Sequence, residues 1–272
     1  NGIAEIVINK APVNALDSAE WLALAELIEN IGKNLEARAL IIRSGGRGFC
    51  AGQDLGDRDP RKMDGPPDLG NTVRTFYAPL VRLIRSLNFP VICAVNGVAA
   101  GAGANIALAC DMVFAAESAK FIQSFSKVGL IPDTGGSWHL PRLLGEARAK
   151  GLAFTAQPLS AQQAEDWGLI WKAIPDEDLM TEARTMTEHF ANGPTLGLGL
   201  SKLAIQTTKI AGGAGALLVG IAVAIGGDLL ALLAGEEFRP AFAVLIPLTA
   251  AASFELGSVA FEPVLHSTGR AR

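Results

Sequence analysis

Residues 90–105 read PVICAVNGVAAGAGAN, and this stretch decides the fold class. Val91–Val95 is a short, wholly apolar run of the kind that forms a buried strand. Small residues follow it, and the glycine- and alanine-rich segment from Gly101 to Asn105 predicts the start of a closely packed helix. A buried strand that leads directly into a helix indicates an α/β core in which helices cover sheets.

The same alternation of strands and helices runs outward from this segment in both directions. Asp17, with Glu20 three residues later, forms an N-terminal capping pattern and predicts a helix that ends near Gly32. Helices are also predicted over 161–167 and 177–190, and a loop over 124–136. Strands are predicted at 3–8, 39–43, 91–95, 112–115 and 169–174.

Composition excludes several classes of function. Lys and Arg number 23 and Asp and Glu 27, and the net charge of −4 offers no general attraction to nucleic acid or anionic lipid. Half of the residues are hydrophobic, which excludes a disordered chain. Three cysteines without ligand spacing argue against a disulfide scaffold or a metal site and favour a reducing, cytoplasmic compartment. The chain starts at Asn1 without a secretory signal, and its true N-terminus is left open.

The chain changes character after residue 207. Residues 210–227 carry no charge, and a second apolar stretch covers 240–261. We expect residues 1–207 to form one domain and residues 208–272 a separate apolar helical segment. The first stretch is at the lower length limit for a membrane span and Glu255 interrupts the second, so a membrane hairpin through 210–261 and a pair of buried helices both stay open.

Two turns rich in small residues, 48–54 and 96–105, each follow a predicted strand. Small residues let a ligand approach the backbone closely, and a helix N-terminus offers unpaired N–H groups. Together the turns could supply two amides to a developing oxyanion. The alternative is that their glycines only permit tight turns and close helix packing.

Asp133 stands between Pro132 and a Gly-Gly turn, where a carboxylate could serve as an acid/base group held by a rigid loop. The alternative is an aspartate that caps the turn or the following helix. The histidines lie far apart, without metal-ligand spacing, at positions 139, 189 and 266.

Residues 1 to about 207 resemble the enoyl-CoA hydratase/isomerase, or crotonase, superfamily. The resemblance implies an α/β spiral of repeated β-β-α units. The motifs that carry it, in this order, are Ile8-Asn9-Lys10, Val13-Asn14-Ala15-Leu16, Phe49-Cys50-Ala51-Gly52-Gln53-Asp54, Pro90 to Gly97 with the glycine/alanine segment after it, Cys110-Asp111 and Gly129-Leu130-Ile131-Pro132-Asp133.

The resemblance also implies roles for single residues. Two backbone amides of the oxyanion hole fall on Ala51 and Ala102, and the acid/base of the family's isomerases falls on Asp133. The two glutamates of the family's hydratases correspond to Asn105 and Phe125, neither of which can transfer a proton, so water addition is not expected. Residues implied to lie against substrate or coenzyme A are Lys10, Gly52, Gln53, Asp54, Gly103 and Asn105.

The implied function is an acyl-CoA isomerase that stabilises a thioester enolate. Within the superfamily the chain is most similar to isomerases of phenylacetate breakdown, which implies 2-(1,2-epoxy-1,2-dihydrophenyl)acetyl-CoA or a related enoyl-CoA as substrate. No cofactor or metal is expected besides the coenzyme A of the substrate, and the family assembles as trimers or hexamers. Two alternatives stay open: a linear Δ3,Δ2-enoyl-CoA isomerase, and an inactive crotonase passenger joined to a membrane-transporter fragment, because 208–272 weakly resembles a polysaccharide flippase segment.

Overall fold

The computed structural model describes residues 2–58 and 68–208. Apart from Thr208, the predicted apolar segment 208–272, its membrane hairpin and its flippase resemblance therefore fall outside the described residues. Within the described ranges, no helix has both the length and the apolar character that crossing a membrane requires.

The chain divides into two compact units, Asn1–Gly199 and Leu200–Arg272. The first unit contains all of the described strands, and the described part of the second is the end of one helix. The strands are β1 (Ile3–Ile8), β2 (Ala15–Leu16), β3 (Ala39–Ser44), β4 (Gly48–Cys50), β5 (Gly52–Gln53), β6 (Val91–Val95), β7 (Val98–Ala100), β8 (Met112–Ala116), β9 (Lys120–Ile122), β10 (Leu159–Ser160) and β11 (Lys172–Ile174).

The strands form three sheets. The order β1-β3-β6-β8-β11 gives a five-stranded sheet, β10-β9-β7-β4 a four-stranded sheet, and β2-β5 a two-stranded one. The five-stranded sheet is parallel throughout. Successive strand pairs alternate between the two larger sheets, because β3, β6 and β8 lie in the first while β4, β7 and β9 lie in the second. This alternation is the predicted β-β-α spiral, and the fold prediction is confirmed.

Nine helices are described, together with two 3₁₀ turns at Leu55–Arg58 and Ser124–Val128 and a π-helical turn at Val73–Tyr77. The helices are α1 (Ser18–Lys33), α2 (Leu69–Thr72), α3 (Ala78–Ser86), α4 (Ala102–Ala109), α5 (Gly136–Leu144), α6 (Glu146–Thr155), α7 (Ala161–Asp166), α8 (Leu179–Ala191) and α9 (Thr195–Thr208).

Helix α1 begins as its capping pattern predicts. The Asp17 side chain accepts a hydrogen bond from the Glu20 N–H, and the Glu20 carboxylate accepts one from the Asp17 N–H at 2.8 Å. Each bond satisfies a backbone donor that the first helical turn leaves without a partner. Trp21 and Ile28 on the inner face of the helix are almost fully buried.

Two predicted segments differ from the structure by more than two residues. The strand predicted over 169–174 begins only at Lys172, because the N–H groups of Leu169 and Ile170 bond to the carbonyl of Ala164 and finish helix α7. The segment 124–136, predicted as loop, contains the 3₁₀ turn and the start of α5.

Helix α4 packs against strand β4 with almost no space between the two backbones. A Cβ atom on Gly103 would lie 2.3 Å from the carbonyl oxygen of Cys50 and 2.7 Å from its Cβ. Contacts this short are excluded for real atoms, so the helix can approach the strand only because residue 103 has no side chain. Gly103 therefore has a packing role, as expected if the glycines of this segment permit close helix packing.

We expect Gly103→Ala to lower the free energy of unfolding by about 1–3 kcal/mol, because the added methyl group overpacks a closed interface. The matched control is Gly151→Ala in α6, where a Cβ would meet nothing within 4 Å. That substitution should stabilise the protein by about 0.5–1 kcal/mol through helix propensity. Urea denaturation of both variants checks the pair, and equal effects would contradict the packing account.

Candidate active site

The N-terminus of α4 supplies the first element of the site. Gly101 precedes the helix with φ 51° and donates its N–H to the carbonyl of Ile122 at 2.9 Å. The next N–H, on Ala102, lies in the first helical turn, whose N–H groups have no acceptor within the helix. The positive end of the helix dipole lies at the same place. The Ala102 amide is therefore suited to an anionic oxygen, and its part in an oxyanion hole, which the resemblance implies, stays a prediction.

Gly52 in strand β5 lies directly beside this amide. A Cβ on Gly52 would lie 3.2 Å from the Ala102 nitrogen and 2.9 Å from the carbonyl oxygen of Ala100. The backbone of Gly52 also has φ 89°, a conformation that favours glycine. Any side chain here would press on the N-terminus of α4, so a glycine is needed where β5 approaches the Ala102 amide.

The structure contradicts the prediction that Ala51 provides the second amide. The Ala51 N–H points toward the preceding segment of the chain, at 3.1 Å from the carbonyl oxygen of Val13 and 3.3 Å from that of Asn14. An amide already bound to backbone carbonyls has no hydrogen to offer to a substrate. Ala51 is thus part of the scaffold.

The strand register identifies a different amide on β5. Leu16 of β2 pairs with Gln53 of β5 in parallel, and the Asp54 N–H donates to the carbonyl of Leu16 at 2.8 Å. In a parallel pair, a residue such as Leu16 hydrogen-bonds to the two neighbours of the residue opposite it and not to that residue itself. The Gln53 N–H therefore points away from β2. Gln53 is adjacent to Gly52, which contacts the α4 N-terminus. Its amide is the better candidate to face Ala102 across the site.

The side chain of Gln53 is held from two sides. Its Oε1 accepts a hydrogen bond from the Tyr77 hydroxyl at 2.5 Å, and its Nε2 donates to Asp57 at 3.1 Å. Tyr77 ends the π-helical turn and packs edge-to-face against Trp21, with 5.4 Å between the ring centroids. These contacts fix β5, and with it the direction of the Gln53 amide.

Asp133 lies half-buried in the loop before α5. Burial raises the pKa of its carboxyl above the ordinary value, and the hydrogen bond from Thr134 opposes this rise. The Thr134 hydroxyl donates to Asp133 Oδ1 at 2.7 Å, while the Thr134 backbone has φ 51°. Positive φ in a threonine stores strain of about 1–3 kcal/mol, which is typical of functional loops. A partly desolvated carboxyl on a constrained loop is suited to transfer protons.

Asn105 connects Asp133 to helix α4. Its Nδ2 donates to the backbone carbonyl of Asp133 at 2.8 Å, and its side chain is fully buried. Asn105 lies one helical turn after Ala102, so one short helix carries both the amide and the anchor of the Asp133 loop. The prediction that Asn105 lies against substrate is corrected: both polar atoms of its side chain are bonded within the protein.

Lys10 lies among three carboxylates. Its Nζ is 2.6 Å from Glu20, 3.3 Å from Asp17 and 3.3 Å from Asp54. The hydrogen bond to Glu20 contributes most to raising the pKa of Lys10 well above its ordinary value. A phosphate of coenzyme A would meet excess negative charge here, so the prediction that Lys10 binds coenzyme A is not supported. Asp54 belongs to the same cluster, and its role is likewise structural.

Sequence reasoning assigns no role to three residues that support the site: Tyr77, Gln123 and Thr134. Each acts through hydrogen bonds that only the folded chain establishes. Gln123 donates from its Nε2 to Asn105 Oδ1 at 2.9 Å. In the part of the chain that the structure describes, no group of three His, Cys, Asp or Glu side chains is arranged to hold a metal ion.

Residues 1–209 match the family model "Enoyl-CoA hydratase/isomerase". The chain belongs to the enoyl-CoA hydratase/isomerase family. It is 49% identical over 209 residues to the 1,2-epoxyphenylacetyl-CoA isomerase of Escherichia coli, a match that covers 76% of this chain and 80% of the relative. It is 44% identical over 206 residues to a Rhodobacter capsulatus protein named "probable enoyl-CoA hydratase", covering 75% of this chain and 78% of that one.

Solved structures agree with this assignment. An enoyl-CoA hydratase from Mycobacterium avium subsp. paratuberculosis superposes with a TM-score of 0.70 at 32% identity, covering 77% of this chain and 83% of that one. An enoyl-CoA hydratase from Polaromonas superposes with a TM-score of 0.69 at 33% identity, covering 76% and 80%. Relatives of this family thus carry both isomerase and hydratase names, and an acyl-CoA thioester substrate is consistent with all of these names.

The structural role of Lys10 is open to a direct test. We expect Lys10→Met to lower the free energy of unfolding at pH 7, because three ionised carboxylates then repel one another. The pKa values of Asp17 and Asp54 are lowered, chiefly by the N–H groups of Glu20 and Gly56 and next by Lys10. As pH falls through these lowered pKa values, the carboxylates become neutral and the stability lost in the variant should shrink.

The control for this test is Lys33→Met. Lys33 makes one exposed pair with Glu29 at 2.7 Å, one helical turn away, and such a pair contributes about 0.3–0.5 kcal/mol. Denaturation from pH 7 to pH 3 measures both variants. A KM for acyl-CoA that rises tenfold in Lys10→Met without loss of stability would instead restore Lys10 as a phosphate ligand.

Proposed function

We propose that this chain is an acyl-CoA isomerase that shifts unsaturation through a thioester enolate, with Asp133 as its single acid/base. The observation that carries the proposal is the arrangement around α4. One helix presents a backbone amide at its N-terminus and, one turn later, anchors the loop of a carboxyl whose pKa is raised by burial.

In this mechanism the thioester oxygen lies between the amides of Ala102 and Gln53. As a proton leaves the α-carbon or its vinylogue, negative charge moves onto that oxygen, and the two N–H groups stabilise it. One such donor typically contributes about 2.7–4 kcal/mol to lowering the barrier. Because the donors belong to the backbone of packed elements, no rearrangement is needed when the charge forms.

Asp133 then performs both proton transfers. Its carboxylate removes a proton from one carbon of the acyl chain and returns it to another, so that the double bond moves and the substrate keeps its composition. A carboxyl with a raised pKa is more basic than an exposed aspartate and also releases its proton readily at neutral pH. With an epoxide-bearing acyl group, the same proton transfers would accompany opening of the epoxide ring.

Isomerisation fits these residues better than hydration. Adding water across a double bond needs groups that activate the water and protonate the carbon. Asn105 carries no proton-transferring group and makes an internal hydrogen bond at each polar atom of its side chain, and Phe125 is a buried hydrocarbon side chain. Asp133 alone remains beside α4 as an ionisable side chain among the candidate residues. The 49% identity to the Escherichia coli isomerase supports 2-(1,2-epoxy-1,2-dihydrophenyl)acetyl-CoA or a related enoyl-CoA as substrate.

We expect Asp133→Asn to reduce kcat for isomerisation by at least about a hundredfold with a small change in KM, because the acid/base is lost while binding is kept. The matched control is Asp178→Asn, an exposed aspartate that loses the same charge. Assays with a linear 3-enoyl-CoA and with the aromatic epoxide separate the two substrate classes. An unchanged rate in Asp133→Asn would remove this residue from the mechanism.

The pH dependence of kcat/KM tests the role of Asp133 as the base independently. Because the base must be ionised, kcat/KM should rise with pH through the pKa of Asp133 and then level. Burial raises that pKa, so the rise should lie above the ordinary aspartate value of 3.8. The rise should be absent from the residual activity of Asp133→Asn.

The Ala102 amide can be removed without adding charge. Ala102 is the first residue of α4, where proline is tolerated, and the glycine before it accommodates the restriction that proline imposes. We expect Ala102→Pro to lower kcat by about 10²- to 10³-fold, as removal of one oxyanion donor does elsewhere. The variant Ala102→Ser retains the N–H and should keep most of the activity. Equal losses in both variants would show that side-chain bulk, and not the N–H, is responsible.

A further inference from the structure

A chain of two buried amide side chains ends at the catalytic loop. Gln123, between β9 and the following 3₁₀ turn, donates from Nε2 to Asn105 Oδ1 at 2.9 Å. Asn105 donates from Nδ2 to the backbone carbonyl of Asp133 at 2.8 Å. Both side chains are almost wholly buried, with exposed fractions of 3% and 0%. The chain therefore joins three segments of the fold through two internal hydrogen bonds.

The direction of this chain is fixed from the Asp133 end. A backbone carbonyl can only accept, so Asn105 must present its NH₂ group to Asp133 and its oxygen to Gln123. Gln123 must then present its own NH₂ group to that oxygen. The remaining atom, Gln123 Oε1, is buried and has no hydrogen-bond partner in the described part of the chain. Rotating the Gln123 amide by 180° would satisfy nothing at Asn105, because two oxygens would face each other.

We propose that Gln123 is a positioning residue for catalysis, which orients Asn105 so that Asn105 holds the Asp133 loop against helix α4. This inference rests on the proposed acid/base role of Asp133. Gln123 has no contact with the Asp133 carboxyl itself and acts only through Asn105.

The close packing around the loop explains why this orientation matters. A Cβ on Gly136, three residues beyond Asp133, would lie 2.3 Å from Asn105 Nδ2. The Asn105 amide therefore lies directly against the backbone of Gly136 at the start of α5, so its orientation affects how this part of the loop packs. If Gln123 no longer orients it, Asn105 loses its bond to Asp133 or displaces the loop.

Displacing the loop would change the surroundings of the Asp133 carboxyl. Burial is the main cause of its raised pKa, and the Thr134 hydroxyl is the polar group that opposes the rise. Another titratable side chain packed at this loop is His139 of α5, whose ring lies beside Gly135. A loop that moves away from α4 admits water to the carboxyl, which lowers the pKa of Asp133. A loss of activity caused only by partial unfolding would leave that pKa unchanged.

The test compares Gln123→Met, Asn105→Leu and the double variant with the parent chain, using a 3-enoyl-CoA as substrate. We expect each single variant to lower kcat about tenfold to a hundredfold with little change in KM, because the base is misplaced while binding is kept. The double variant should lie within about twofold of the worse single one, since both break the same chain of bonds. The rise of kcat/KM with pH should move to lower pH in all three.

Two controls guard against a trivial loss of folding. Gln157→Met makes the same replacement at an exposed position and should change neither kcat nor the pH profile. Gln123→Glu keeps the size of the side chain but presents a carboxylate to the Asn105 oxygen, and it should reproduce the loss. Fully multiplicative losses in the double variant, or an unmoved pH profile in every variant, would overturn the proposal.

Hydrogen–deuterium exchange separates this proposal from the proposed function. The peptide covering residues 130–136 should exchange faster in Gln123→Met and Asn105→Leu than in the parent chain or Gln157→Met. This result is expected whether or not the parent chain isomerises an acyl-CoA. If the parent chain is inactive but exchange changes as expected, the proposed function fails and the positioning contact stands. If the parent chain is active and exchange is unchanged, the positioning role fails alone.

Discussion

The close contact between the N-terminus of α4 and strands β4 and β5 is the constraint on which the rest of the site depends. Gly103 allows the helix to lie against the Cys50 carbonyl, and Gly52 leaves the space beside the Ala102 nitrogen unfilled. Both residues are needed because each would otherwise place a Cβ where another backbone atom lies. The result is a helix N-terminus packed directly against the backbone of β4 and β5, and the positive end of its dipole and its first N–H groups favour an anionic oxygen.

A second layer of contacts then fixes the groups around that space. Tyr77 and Trp21 hold Gln53 from one side, while Asn105 holds the Asp133 loop from the other. The proposed chemistry requires mainly that these groups be correctly oriented. Two amides and one carboxyl suffice for a proton shift beside a thioester. Burial raises the pKa of Asp133, and the packing that positions the residue also causes this burial.

The sequence predicted the fold because its signals are local. Apolar runs such as Val91–Val95 and the capping pair Asp17 and Glu20 need no tertiary information, and both appear as expected. It failed at Ala51, because the direction of an amide in a short strand depends on its pairing with β2, which no local pattern reveals. For a related reason, no local pattern reveals the three carboxylates that contact Lys10.

The contacts of Lys10 could not be predicted from its charge alone. Its three carboxylate partners come from a helix cap, the first turn of α1 and the end of β5, segments that only the folded chain brings together. The same limit applies to Asn105 and Gln123. A donor or acceptor brought close by folding decides which atom of each side-chain amide is bonded.

The most direct test of the whole account is a crystal structure of the chain with a saturated, unreactive acyl-CoA thioester. The account predicts the thioester oxygen within about 2.7–3.1 Å of the backbone nitrogens of both Ala102 and Gln53. The Asp133 carboxyl should face the acyl carbons. A thioester oxygen bound away from these two amides, or an acyl chain out of reach of Asp133, would contradict it.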